Sequence, residues 1–468
     1  MTEWATDPEG FARVLPPGFV VGTATAAFQI EGALDEDGRT PSTWDEFMRR
    51  PDAIADGSTA EITTDHYHRH SEDVGLMRNL GIDAYRFSLA WPRIQPDGTG
   101  PGNPKGIAFY DRLIDELLAA KIRPMATLFH WDTPQPLQEQ GGWRNRDTAS
   151  RFAEYAAIAG EAFGDRIQGW VTLNEPTTVT LYGYALGVHA PGEVGMYDAL
   201  HAAHGQLLGH GLAVQALRAA DVTGGIGITN VHSPVVRAGG GIRTRMYAKL
   251  FDLMHNRIFA DPVLLGRYPK IPPPLRSLFK PLLEASDADL ANIHQPLDFY
   301  GLNYYMPTRV AAGSGDGNTP DGHAAAMEGL PFHLEGFPEH ETTGFGWPIA
   351  PHYLTRLLRE FGKRYAKVLP PVYITEGGAS FPDTIVNGAV DDALRTNYLA
   401  DHIFAAIAAI PDVDLRGYFI WTLMDNWEWA SGFEQRFGIV HVDFDTQERT
   451  PKASYEWLKQ VLEARRHI

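Results

Sequence analysis

The sequence predicts an α/β fold: one barrel of eight parallel strands, each followed by a covering helix, with extended strand-to-helix loops. Strand-like and helix-like stretches alternate along all 468 residues, the pattern of a parallel sheet covered by helices. Polar residues with chemical potential fall repeatedly where a strand-like run stops, and in such a barrel the chemistry sits at the strands' C-terminal ends. A chain of this length is routinely one barrel with insertions, and no stretch reads as an interdomain linker, so residues 1–468 are expected to form a single domain.

Apolar, β-branched runs begin near Phe19, Ala84, Pro124, Ile167, Gly225, Leu297, Val372 and Gly417, which gives the eight strands. Helical patterns follow at 110–121, 148–163, 197–220, 353–365, 391–409 and 452–466. Two connections exceed what a barrel needs, 34–64 and 307–347. The second has a glycine-rich core, GSGDGNTPDG, and mobile decoration is expected at 313–322. The HYHRH run puts His66 and His70 one helical turn apart, but zinc wants a third protein ligand. A solvated or helix-capping role is expected for His66, His68 and His70, and no metal site.

Composition narrows the function. Hydrophobic residues make up 44% and charged ones 21%, as in a globular protein with ample core. A net charge of -18 disfavours nucleic acid and anionic membrane as partners. With no cysteine there is no disulfide, thiolate metal site or cysteine nucleophile. The N-terminus lacks a basic and then apolar leader, and no run approaches the ~18 apolar residues of a membrane span, so a cytoplasmic location is expected.

The most informative stretch is VTLNEP, 171–176. A short buried-strand pattern ends on Asn174 and Glu175, and Pro176 closes it. A carboxylate leaving a buried strand must be hydrogen-bonded or desolvated, and either shifts its pKa. The same design returns in VYITEGG, where a β-branched run ends on Glu376. The other strand ends supply Gln29 and Glu31, Arg86, His130 and Trp131, then Asn303, Tyr304 and Tyr305, and finally Trp421 with Glu428 and Trp429 beyond it. Singly, Arg86 reads equally as a buried ion-pair partner, the tryptophans as core and His130 as a satisfied core histidine. Together, at one end of seven strands, they form a site. Amides, histidine and carboxylates suit sugar hydroxyls, and tryptophan faces suit the C–H face of a pyranose. Two carboxylates flanking a glycosidic bond are the usual requirement for its hydrolysis.

Nine motifs then resemble glycoside hydrolase family 1, the β-glucosidase-like enzymes, in that family's order and spacing. They are FVVGTATAAFQIEGA (19–33), TDHYHRHSEDVGLM, YRFSLAWPRI, TLFHWDTPQ, TLNEP, GLNYY, YITEGG, WTLMDNWEWA and RFGIVHVDF. The resemblance implies a retaining, exo-acting β-glucosidase that needs no cofactor and takes a small β-glycoside or oligosaccharide. It makes Glu175 the acid/base and Glu376 the nucleophile, with Arg86, Asn174 and Tyr305 in support. The implied substrate contacts are Gln29, His130, Trp131, Asn303, Trp347, Trp421, Glu428, Trp429 and Phe437. Val21 stands where an aromatic is usual, and Gly377 where the family usually has asparagine after the nucleophile. A 6-phospho-β-glycosidase on the same fold and a non-catalytic sugar-binding protein are the alternatives. A carboxylate at Glu428 facing a 6-phosphate would meet like charge, so the free glucoside is expected to be preferred. The oligomeric state is not legible.

Overall fold

The computed structural model describes residues 2–315, 330–383 and 385–468; most of the expected decoration at 313–322 lies outside them. Eight parallel strands close a barrel: β1 (Val20–Ala24), β2 (Ala84–Ser88), β3 (Arg123–Phe129), β4 (Gly169–Asn174), β5 (Gly225–Val231), β6 (Phe299–Asn303), β7 (Val372–Gly377) and β8 (Leu415–Trp421). Each strand pairs with its neighbour in sequence, and β1 closes on β8 with Val20 opposite Gly417 and Ala24 opposite Trp421. β1, β2, β4 and β6 are buried along their whole length. That is why they read as continuous apolar runs rather than as alternation.

The expected helices are present, with ends shifted by a few residues. The helix Pro351–Tyr365 buries Leu354, Leu357, Leu358, Phe361 and Tyr365 at three- and four-residue spacing, the stripe that packs on a sheet. The helix Arg146–Phe163 starts at Asn145, whose side chain accepts from the Asp147 amide at 3.0 Å. Among the described residues no helix is long and apolar enough to cross a membrane.

Both long connections carry secondary structure. Residues 34–64 contain the helix Thr43–Met48, opened by a Ser42/Asp45 capping box and tied down by the buried Arg39–Asp45 ion pair. Residues 307–347 contribute strands Thr308–Ala312 and Phe332–Glu335, which join Val235–Arg237 in a small outer sheet. Val310, Phe332 and Leu334 pack there on Ala248 of the helix Ile242–Phe251.

The histidine run departs from its expected role in one respect. His66 opens the helix His66–Leu80 but is buried, with Nδ1 2.7 Å from Asp73. His68 remains half exposed, between Asp65 and Glu36.

Inside the C-terminal end of the barrel lies a polar layer. Thr229 donates to Thr375 at 3.2 Å, and Thr375 donates to Asn303 Oδ1 at 2.7 Å. Gly301 makes room for it, since a Cβ there would sit 2.2 Å from the Thr229 hydroxyl. The ladder slips where the two carboxylate strands end: between Val171 and Asn174 toward β5, and between Ile374 and Glu376 toward β6. Such irregularities re-aim the side chains beside them.

Candidate active site

Arg86 is the hub. Fully buried on β2, its guanidinium donates from Nη1 to Glu376 Oε1 at 2.6 Å and from Nη2 to Asn174 Oδ1 at 2.7 Å, while Nε reaches the Thr127 hydroxyl at 3.0 Å. Tyr305 donates to the other Glu376 oxygen at 2.7 Å. Burial and the Glu376 charge push the Tyr305 phenol well above its usual range, which keeps it a donor.

Glu175 receives opposite treatment. No cation bonds it. Asn303 Nδ2 donates to Oε1 at 2.6 Å and Thr178 to Oε2 at 2.7 Å. Burial first, then the charge of Glu376, push its pKa up to about 8 against those two bonds. Glu175 also has φ 48°, in the left-handed region, as do Trp131 (φ 80°) and Trp429 (φ 49°). For bulky residues this costs about 1–3 kcal/mol each, and such strain persists where a site is over-determined by its surroundings.

The protonation of His130 follows from the same network. Asn174 Oδ1 accepts from Arg86 and, at 3.2 Å, from Asn303, so the other end of the amide is the donor. Its Nδ2 meets His130 Nε2 at 3.0 Å. Burial and the Arg86 charge hold His130 well below the usual histidine range, so the ring is neutral with its proton on Nδ1. Nδ1 has no protein partner among the described residues. Gln29 is its complement. Its Nε2 reaches Asn426 Oδ1 (3.1 Å), the Trp427 carbonyl (3.0 Å) and Glu428 Oε2 (3.0 Å), while Oε1 is left without a protein partner. One buried donor and one buried acceptor are thus left without a protein partner among the described residues; of the two residues, His130 lines the cavity and Gln29 does not.

A cavity of about 560 Å³ opens above these residues. Its inner wall includes both carboxylates, His130, Trp421, Glu428 and Trp429, with Trp131, Tyr305, Trp347 and Phe437 around them. Burial, opposed by the Gln29 bond, pushes Glu428 up to about 8. Among the described residues no lysine or arginine lines the cavity. Asn303 lies beneath the carboxylates rather than on the wall, and Trp131 spends its indole N–H on the Asn174 carbonyl at 3.0 Å. Glu31 is not in the site at all, since Arg93 and Tyr110 hold it in the core.

Sequence reasoning missed Thr178 and Thr375. Thr178 lies three residues beyond Glu175, one turn along a helix, and that spacing could have shown it.

A side-chain carboxyl with a raised pKa, facing one paired with arginine across the same space, is an arrangement that can supply an acid and a nucleophile. The family model for glycosyl hydrolase family 1 matches residues 11–467. The chain belongs to that family. This family 1 hydrolase is 43% identical to β-glucosidase A of Acetivibrio thermocellus, over 96% of its own length and 98% of the relative's. It superposes on the psychrophilic β-glucosidase of Micrococcus antarcticus with a TM-score of 0.91 at 42% identity, covering 99% and 100% of the two chains. The Thermotoga maritima β-glucosidase in complex with glucoimidazole gives a TM-score of 0.89 at 38% identity over 96% and 99%.

Proposed function

We propose that the protein, acting along its whole length as one catalytic domain, is a retaining exo-β-glucosidase. The observation that carries this reading is the division of labour between the carboxyls: Glu175 raised to about 8, Glu376 ion-paired with Arg86. In the first step Glu376 attacks the anomeric carbon while Glu175 gives its proton to the leaving oxygen. In the second, Glu175 takes a proton from water, the water oxygen bonds to the anomeric carbon, and the ester to Glu376 breaks. Retention places the two carboxyl groups about 5–5.5 Å apart. Gln29, His130 and Glu428 bind the terminal sugar's hydroxyls, and Trp421 lies under its ring. A cytoplasmic site of action belongs to the same proposal, and cell fractionation would test it.

The preference over a 6-phosphoglucoside has a different origin from the one expected. With Glu428 protonated near neutral pH, the first obstacle to a phosphate is that no lysine or arginine among the described residues lines the cavity, rather than a fixed charge at Glu428. Two unit charges ~4 Å apart at an effective dielectric of ~20 interact by about 4 kcal/mol, and the Glu376 carboxyl lines the same cavity. The test compares nitrophenyl β-glucoside with its 6-phosphate. The free glucoside should be at least about tenfold better in kcat/KM, which corresponds to about 1.4 kcal/mol. A faster phosphorylated substrate would transfer the reading to the 6-phospho class, and no hydrolysis of any β-glycoside would favour a binding protein.

A further inference from the structure

Part of the cavity wall is carried by irregular backbone. Phe345, Trp347, Glu434, Gln435 and Phe437 line the cavity from two loops, outside any helix or strand. Their rings pack together: Phe345 and Trp347 stack at 4.6 Å, and Phe437 lies 5.9 Å from Trp347. Loops of this kind take their shape from whatever their backbone groups bond to.

Both loops are tied to a third, the segment 378–383 that follows β7 and its Glu376. The Ser380 carbonyl accepts from the Gly344 amide at 2.7 Å, and the Ser380 hydroxyl donates to Gln435 Oε1 at 2.8 Å. The Arg436 carbonyl accepts from the Phe381 amide at 3.3 Å. Behind the segment stands Arg395, fully buried on the helix Ala393–Ile407. Its guanidinium uses all five N–H groups. Nη2 donates to the Arg436 carbonyl at 2.7 Å and Nε to the Ala379 carbonyl at 3.4 Å. A fork reaches both oxygens of Asp383 at 3.2 and 3.0 Å, and Nη1 also donates to Asp392 at 2.5 Å. Asp383 takes the buried Lys452 ammonium as well, which bonds onward to Asp425 at 2.7 Å. Asp425 in turn accepts from the Gly438 amide and from Arg436 Nη1, both at 2.9 Å. One charge network thus joins the loops that follow β7 and β8.

Stability does not by itself account for this network. Burying charges is costly, and well-packed apolar residues of similar volume often stabilise a fold as well or better. Apolar residues cannot hold two carbonyls at fixed positions, whereas the rigid fork of an arginine can. Of the two carbonyls, Ala379 lies three residues beyond Glu376 and Arg436 adjoins Phe437 of the wall. We propose that Arg395, which does not itself line the cavity, is a positioning residue for the reaction: by securing the segment 378–383 to the Arg436 carbonyl, it sets the wall at 434–437 against the strand end that carries the nucleophile. This rests on the β-glucosidase reading above and adds to it a residue outside the cavity.

The test is steady-state kinetics on nitrophenyl β-glucoside with two variants shown to be folded by circular dichroism. Arg395→Lys keeps the charge and loses the fork. Its kcat/KM should fall by about tenfold or more, with a raised KM, because small misplacements far from the chemistry are felt at the reacting atoms. Ser380→Ala leaves every charge in place and removes only the bond to Gln435. Its KM should rise roughly twofold to tenfold, the worth of one hydrogen bond, with kcat within about twofold of wild type. A loss of folded protein lowers kcat and leaves KM unchanged, so the rise in KM separates placement from stability. A wild-type KM in folded Arg395→Lys overturns the inference, whatever happens to its Tm. Should Arg395→Lys not fold, Ser380→Ala decides alone: a raised KM supports the inference and an unchanged one overturns it. Both outcomes leave the β-glucosidase reading intact, whereas failure of the wild type to hydrolyse any β-glucoside overturns the two together.

Discussion

Glu175 shows how an ordinary glutamate becomes an acid at neutral pH. The carboxyl is buried, bonded among the described residues by the neutral donors Asn303 and Thr178, and faces a second carboxylate; burial and that carboxylate favour the proton and outweigh the donors and the Arg86 charge. Because the free enzyme must hold that proton to start the reaction, kcat/KM should fall as pH rises through about 8. The profile should be bell-shaped, with an acid limb as well, and the two limbs belong to the coupled carboxyls rather than to either alone. Initial rates at low substrate from pH 4 to 10 measure this. A rate still rising at pH 10 would show that Glu175 does not act as the acid. At this scale the sequence was informative wherever the residue type itself carries chemistry, as with Glu175, Glu376, Arg86 and His130. It was misleading for Glu31, because Arg93 captures that carboxylate from 62 positions away and no local pattern announces a partner so distant.

Strand β7 carries the departure from the family pattern, Gly377 directly after the candidate nucleophile. A Cβ at 377 would lie 2.2 Å from the Tyr418 hydroxyl of β8 and 2.7 Å from its ring. The space that a larger residue would use is filled by a neighbouring strand's side chain. Gly377→Asn should therefore displace the end of β7 and cut kcat by at least about tenfold, with a smaller effect on KM. Tyr418→Phe in the same chain should restore part of the loss, because the hydroxyl is the nearest clash and has no protein partner among the described residues. Steady-state kinetics of both single variants and the double variant decide it: strictly additive losses would show that the two positions are not coupled. The element scale also explains what was legible in the fold. Strand starts came within a few residues because buried β-branched runs are a local signal. The outer sheet was hidden because its strands are short and sit inside a connection whose dominant signal is glycine.

Across the whole molecule, the two raised carboxyls tie stability to pH. Glu175 and Glu428 each keep a proton up to about 8 when folded, against an ordinary glutamate value of 4.5. Between those values the unfolded chain binds fewer protons than the folded one, so these two groups make stability fall as pH rises through that window. Their contribution is fully present below about pH 4.5 and lost above about 8. The Glu175→Gln, Glu428→Gln double variant should accordingly gain Tm relative to wild type at pH 8 and gain less, or lose, at pH 5. Calorimetry at the two pH values measures this, and parallel curves for the two proteins would contradict it.

The central claim is that Glu376 forms a covalent bond to the sugar. A 2-deoxy-2-fluoro-β-glucoside with a good leaving group slows both steps but slows release of the sugar more, so the intermediate accumulates. Mass spectrometry of the treated protein and its peptides should show one fluoroglucosyl adduct per chain, located on Glu376, with loss of activity in proportion. An adduct on Glu175 or elsewhere would contradict the account. So would turnover that produces the α anomer first with no adduct at all.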